Sequence, residues 1–459
     1  MATFIIPSLP PVYEPCIQEV SKVEIKRSDS KLSLCLNMIV KDESRIIEST
    51  LEKLCAKIRI DYWVICDTGS SDNTGQIIKD FFKKKNIPGE LHNNKWLNFG
   101  HNRTLALEQA YNKTDLLLIF DADDELVGNI NLPDQLLFDR YRIRVGSDTD
   151  TRYYRPTLIN NRKRFRFKGV IHEFLHCDGP FTETTVNGDY YVSSGKCGNR
   201  SIDPDKYLKD AIILQNAYNE AVEANDENLY MRYAYYCANS YRDQVTVTGD
   251  KKWYSEAIKW YKVVLTHPNQ WKQESYNACR YLYICYDKLG EKERGFFYLV
   301  ESFKYDKERV ECLYPLVVHY CCNNMNETAY NYYLHVKDFY ENRYLTAEFS
   351  DKLFVEPDTY NFHVPYYMII VADRLKDHNC GIKMYEIIFT KKQPGITEWH
   401  IKNLLFNLQF FLPHIPDTNI NFIKLANEYI AFLHKINMNI SSYDFIENSV
   451  YRKSGLELR

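Results

Sequence analysis

The apolar run Leu116-Leu117-Leu118-Ile119 leads directly into Phe120-Asp121-Ala122-Asp123-Asp124-Glu125. A short apolar run entered from the polar Lys113-Thr114-Asp115 reads as a buried strand. The acids that follow then fall at its carboxyl end, where open α/β sheets hold their ligands. An Asp-x-Asp pair there offers oxygen donors to a hard divalent cation, and such a cation can grip a diphosphate. A solvated acidic loop is the alternative reading of this motif. The segments upstream weigh against it.

From Lys31 onward, strand and helix patterns alternate. Leu32–Val40 reads as a strand, and Glu43–Lys57 has helix-spaced apolar residues at Ile46, Ile47, Leu51 and Leu54. Tyr62–Cys66 is a second strand, closed by the turn-rich Asp67-Thr68-Gly69-Ser70-Ser71-Asp72-Asn73-Thr74. Ile77–Lys85 and Gly100–Tyr111 read as helices, the latter leading into the strand before the acids. Short connectors between such elements predict a parallel α/β sheet. Between Thr151 and Gly198 the pattern turns to β, with Tyr153–Ile159 and Arg162–Val170 expected to pair as a hairpin across Asn160-Asn161.

Past Asp203-Pro204, helical periodicity takes over. The blocks Lys206–Ala221, Glu227–Arg242, Trp253–Thr266, Gln273–Leu289 and Glu293–Tyr305 suggest degenerate helical hairpins. Their period of roughly 40–47 residues is looser than the ~34 of a tetratricopeptide repeat. Beyond residue 340 the pattern is less regular. Three parts are expected: an extension over 1–30, an α/β unit over 31–200, and a helical unit over 201–459.

A chain of 459 residues with 45% hydrophobic content can bury large cores, and a net charge near −3 makes no electrostatic case for nucleic acid or anionic membrane. The 13 cysteines form no C-x-x-C pair, which fits a reducing compartment. Met1–Ile6 is a short apolar patch cut off by Pro7, with no basic leader, and no apolar run approaches the ~18 residues of a membrane span. A soluble cytoplasmic protein is expected.

Two protease spellings are decoys. Asp67-Thr68-Gly69 resembles an aspartic-protease loop, but that chemistry needs two carboxylates sharing a proton, and no second copy occurs. His172-Glu173-Phe174-Leu175-His176 spells a zincin motif, which requires a helix. Gly169 and Asp178-Gly179-Pro180 leave room for only about two turns.

Asn37–Glu43, Val64–Thr74, Asn98-Phe99-Gly100-His101-Asn102-Arg103, Phe120–Glu125 and Gly169-Val170-Ile171-His172-Glu173 occur in that order. Together they resemble glycosyltransferase family 2 enzymes of the GT-A fold. The likeness is greatest to the subgroup with tetratricopeptide-like helices after the catalytic domain, as in bacterial peptide S-glycosyltransferases. It implies a Rossmann-like mixed sheet followed by an all-α, TPR-like domain.

The resemblance also implies roles. Val40 ends the first strand beside the nucleotide, and Asp67 accepts from the nucleoside, although Thr68 stands where the family often has a second acid. Arg103 faces uracil or phosphate. Asp121 lies toward ribose and metal, Asp123 toward the metal, and His172 is a further ligand. The implied cofactor is Mn2+ or Mg2+, and the donor a nucleotide-diphosphate sugar, UDP-sugar favoured. Taken singly, Arg103 reads equally as a surface arginine, Asp67 as a helix cap, and His172 as a satisfied core residue.

An inverting transfer needs a general base to deprotonate the acceptor. Glu173 is the first candidate and Asp124 the second. The basic run Arg162-Lys163-Arg164, Arg166 and Lys168 could steer an anionic substrate, or be a solvated face. A helical array suits a polypeptide or glycan acceptor, or self-association into a homo-oligomer. The competing reading is a non-catalytic scaffold with a degenerate transferase domain.

Overall fold

The computed structural model describes residues 31–147, 149–195, 197–416, 419–440 and 450; the N-terminal extension lies outside them. The strands are β1 (Leu34–Val40), β2 (Tyr62–Asp67), β3 (Gly89–Asn93), β4 (Leu116–Ile119), β5 (Glu125–Asn131), β6 (Arg140–Val145), β7 (Tyr153–Asn160), β8 (Arg166–Lys168), β9 (Phe174–His176), β10 (Glu183–Thr185) and β11 (Asn187–Ser193). Nine of them form one sheet in the order β3-β2-β1-β4-β7-β6-β11-β5, with β10 added to β6. β3, β2, β1 and β4 run parallel, and β7 turns the sheet antiparallel against both β4 and β6.

β1 is apolar apart from Asn37 because both its faces are covered, as expected of a central parallel strand. Leu34, Leu36, Met38 and Val40 pack with α1 (Ile47–Lys57) and α2 (Thr74–Lys85). Cys35 alternates to the opposite face, where α3 (Phe99–Ala110) supplies Leu107 and Ala110. Asn37, also buried, spends its amide on the carbonyls of Val64 and Ala106 at 3.1 and 3.0 Å.

One expectation is corrected. β8 does not pair with β7: it forms a separate two-stranded ribbon with β9, Phe167 opposite Leu175. The edge of β7 is already taken by β4 and β6, so the chain after Asn161 must find another partner. The basic residues of this segment meet local acids: Arg162 with Asp115, Lys163 with Asp139 at 3.0 Å, Arg166 with Asp178 at 2.6 Å. That matches a solvated face more than a steering patch.

The helical half begins with α4 (Lys206–Glu223), α5 (Glu227–Thr248), α6 (Lys252–Thr266), α7 (Lys272–Lys288) and α8 (Lys292–Glu301), each packed on the next. Their starts agree with the periodicity to within a residue. Ile171, from the loop before β9, is buried in the same apolar cluster as Ala211, Leu214, Ala234 and Ala238. Further along, Val355 exchanges backbone hydrogen bonds with Arg152 at 2.7 and 2.8 Å, just before β7 begins. The sheet and the helices therefore share one compact unit from Leu32 onward. Among the described residues no helix is long and apolar enough to cross a membrane.

Candidate active site

The acids after β4 lie where the parallel strands end, and the structure links them through two arginines. Arg103, on α3, bonds Asp121 at 2.6 Å and pairs with Glu173 at 2.6 Å. Arg155, on β7, reaches the other oxygen of Asp121 at 3.3 Å and also pairs with Asp124. The result is an alternating chain: Glu173, Arg103, Asp121, Arg155, Asp124. Arg155 was not singled out from the sequence, because its role depends on β7 lying beside β4, a pairing no local pattern announces.

Backbone close to the site is fixed by small residues and by the helical half. A Cβ on Gly100 would overlap the carbonyl oxygen of Gly169, so α3 and the loop before Glu173 touch backbone to backbone. Phe99 N–H donates to the Val170 carbonyl at 3.1 Å, while the Tyr233 hydroxyl on α5 accepts from Val170 N–H, also at 3.1 Å. His172 has a φ of 52°, and its imidazole stacks on the Tyr236 ring at 4.2 Å. The helix a zincin would require does not form: Phe174–His176 is a strand.

Charge in the site is unevenly distributed. Burial works to raise the Asp121 carboxyl, but Arg103 and Arg155 outweigh it and hold the group below its usual range. Burial pushes Asp124 up to about 6 despite Arg155. Asp123 lies beside Gly198, as does Glu43; burial, then the charge of Asp121, raises it. Burial also raises Glu43, to about 7, with Asp123 adding repulsion and the Asn199 N–H opposing it. His172 lines the cavity and is exposed; crowding by protein, then Arg232, Arg200 and Lys206, lowers its pKa.

The remaining expected residues are placed as follows. Val40 is buried at the end of β1, opposite Asp67. Asp67 accepts from the N–H groups of Gly69 and Ser70 at 3.0 and 2.7 Å, so one carboxylate oxygen caps its own turn. The three residues expected to share a cation do not converge: Asp121 is engaged by arginines, Asp123 lies beside Gly198, and His172 faces α5. Among the described residues no three metal-ligating side chains gather at one point.

A cavity of about 730 Å³ opens between the sheet edge and the helical half, lined in part by Arg103, Arg155, Glu173, Arg200, Lys206 and Tyr236. Its size is that of a small-ligand site. Asp124 is buried beneath it and does not line it.

Residues 35–176 match the model of the glycosyl transferase family 2. This segment spans β1 to β9 and every residue of the alternating chain. The enzyme is a glycosyltransferase, and its mixed sheet with flanking helices is of the GT-A type. Solved structures with some likeness include S. aureus TarS 1-349 (13% identity, 70% of this chain, 95% of that one, TM-score 0.27). The mannosyltransferase PcManGT from Pyrobaculum calidifontis in complex with GDP-Man and Mn2+ is another (10%, 60%, 88%, 0.30). TarS 1-349 in complex with UDP-GlcNAc is a third (13%, 67%, 91%, 0.25). Superpositions this loose leave the class resting on the family match. No curated protein matches the chain.

Proposed function

We propose that the protein is an inverting glycosyltransferase that moves a sugar from a nucleotide-diphosphate donor to a glycan or protein acceptor. Residues 31–200 form its catalytic unit and 201–459 a helical platform of TPR-like hairpins. The observation that carries this reading is the alternating chain from Glu173 to Asp124, of which Glu173, Arg103 and Arg155 line a ligand-sized cavity.

Glu173 is the general base. It lines the cavity, where Arg103 orients it through a pair at 2.6 Å, and its carboxylate is the group that would accept the acceptor's proton. As the acceptor oxygen bonds to the anomeric carbon, the bond from that carbon to the phosphate oxygen breaks. The departing diphosphate needs positive charge, which Arg103, Arg200 and Lys206 bring to the cavity lining. Asp124, buried and held by Arg155, suits a supporting role that keeps Arg155 and Asp121 in place. Val40 and Asp67 border the nucleoside end. A divalent cation such as the Mn2+ named with the Pyrobaculum enzyme finds no converged set in Asp121, Asp123 and His172, so no step is routed through one.

Thermal stabilisation tests the reading, since a ligand bound only by the folded state raises the melting temperature. UDP- and GDP-sugars are added with and without Mn2+ to wild type, Asp123→Ala and Glu173→Gln. A donor shift that survives Glu173→Gln while sugar transfer is lost supports the assignment. A shift requiring Mn2+ and abolished by Asp123→Ala would restore the cation. No shift with any donor would favour a scaffold.

A further inference from the structure

Glu43 and Asp123 follow the ends of two paired strands, β1 and β4, and both meet the chain that leaves the sheet after β11. A Cβ on Gly195 would overlap the backbone carbonyl oxygen of Asp123, so the main chain comes this close only without a side chain there. A Cβ on Gly198 would stand 3.2 Å from an Asp123 carboxylate oxygen and 3.3 Å from a Glu43 oxygen. Asn199 N–H donates to the two Glu43 oxygens at 3.3 and 3.2 Å, and Gly198 N–H bonds the Asp123 carboxylate. Asp123, which motif order offers to a divalent cation, is taken up by the main chain instead.

Arg200 is the next residue. Ser201 N–H closes a turn on the Gly198 carbonyl at 2.9 Å, so the course of the Arg200 side chain follows from how Gly198 and Asn199 are held. Its guanidinium lines the cavity, lies over the Phe99 ring at 5.0 Å, and pairs through Nη2 with the buried Asp210 on α4. Phe99 stands one helical turn before Arg103 on α3, which puts Arg200 beside the alternating chain. A guanidinium carries five N–H donors in a fork that matches phosphate oxygens, so the pair with Asp210 orients it without exhausting it.

We propose that Asp123 and Glu43 are positioning residues, which clamp the main chain at Gly198 and Asn199 and so seat Arg200 against the donor's diphosphate. The proposal rests on the transferase reading and names how that site grips its leaving group without a divalent cation.

Isothermal titration calorimetry on the full chain tests it, with UDP, UMP, GDP and GMP as probes, in EDTA and in Mn2+. The variants are Arg200→Ala, Asp123→Ala, Asp123→Asn, Glu43→Ala and the double variant Asp123→Ala with Arg200→Ala, each checked by circular dichroism. One of the two diphosphates is expected to bind wild type in EDTA, and more tightly than its monophosphate. Arg200→Ala should weaken it about tenfold and narrow that preference. Asp123→Ala should cost a similar factor alone and nothing further in Arg200→Ala, since residues that act through one another do not add. Asp123→Asn keeps an acceptor oxygen for the Gly198 N–H and should recover most of the affinity. Glu43→Ala, from the other strand end, gives the same loss and keeps the test open should Asp123→Ala misfold. Binding that needs Mn2+, with Asp123→Asn as damaging as Asp123→Ala, would make Asp123 a metal ligand and overturn the proposal. Indifference to Arg200→Ala, or losses that add, would overturn it too. No binding of any nucleotide in either medium would sink the transferase reading with it. Diphosphate binding as expected, without transfer from any UDP- or GDP-sugar, would sink that reading alone.

Discussion

Arg232, on α5 of the helical half, donates from its Nε to the backbone carbonyl of His172 at 2.7 Å. Glu173 is the next residue, so a helix outside the sheet holds the turn that presents the proposed base. His172 needs such support, because a positive φ is uncommon for a residue with a side chain. The Arg232 guanidinium is itself bracketed by the Phe174 and Tyr236 rings, at 5.3 and 4.7 Å. The helices thus complete the site as well as extend it.

Removing that link should impair chemistry more than donor binding. A hydrogen bond from a charged donor is worth about 1.5–3 kcal/mol. In Arg232→Ala, Glu274 also loses its cation, after burial has already pushed its carboxyl up to about 7 against the pull of Arg232. Sugar transfer is expected to fall by more than about tenfold, with the donor-induced thermal shift retained. Arg232→Lys recovers part of the rate. Steady-state kinetics beside thermal-shift titration separate the two effects; equal loss of both would refute a positioning role.

Gly100→Ala is the sharpest backbone test. The added methyl meets the Gly169 carbonyl, a backbone atom that cannot swing aside. Either α3 or the loop before His172 must move, and both carry groups of the alternating chain. Overpacking of this kind typically costs about 1–3 kcal/mol. Transfer should drop well beyond what the melting temperature alone explains, whereas His101→Ala, one residue along on the exposed side of α3, should change little.

The Arg155–Asp124 pair should show the asymmetry of buried ion pairs. Asp124 is only 4% exposed, and its Oδ1 has no partner among the described groups. Arg155→Leu strands that carboxylate, and breaking a buried pair from one side typically costs about 3–5 kcal/mol. The double variant Arg155→Leu with Asp124→Leu is expected to recover much of the loss. Urea denaturation of the single and double variants measures the difference; equal destabilisation would mean the pair is not the cause.

Much of this architecture was legible because its signals are local. Apolar runs with helix-spaced stretches between them marked β1, β2, β4 and α1 to α3, and the periodic blocks from Lys206 onward marked α4 to α8. The sheet's antiparallel side was harder. β5 is half-exposed with weak alternation, β6 alternates arginines with buried Tyr141, Ile143 and Val145 but was not read as a strand, and β8 found β9 through long-range competition for edges. In the site, Arg103, Asp121 and Glu173 were found from motif order. Arg155, Arg232 and Glu43 were not, since each enters by tertiary packing. Asp123 and His172, close to Asp121 in the motif logic, lie at different walls: Asp123 beside Gly198 and His172 stacked on Tyr236.

The Asp123–Glu43 pair makes a prediction about pH. Glu43 titrates near 7 in the folded protein against an ordinary value of 4.5, and Asp123 and Asp124 are raised as well. A folded state that raises a carboxyl's pKa binds protons more tightly than the unfolded chain does. Its contribution is therefore complete below about pH 4.5 and is lost as pH rises through 7. Asp121, lowered by its arginines, acts in the opposite sense, but its contribution is lost only below the ordinary 3.8. His172, lowered by the crowding around it, acts in the opposite sense up to its ordinary 6.5. Between about pH 6.5 and 8 the raised carboxyls govern, so the melting temperature should fall across that window. Glu43→Gln removes one of the two charges beside Gly198 and should flatten the decline. Differential scanning calorimetry across the window decides the matter: a melting temperature that rises with pH, or an unchanged slope in Glu43→Gln, would show that Glu43 is not held above its ordinary value by its buried setting.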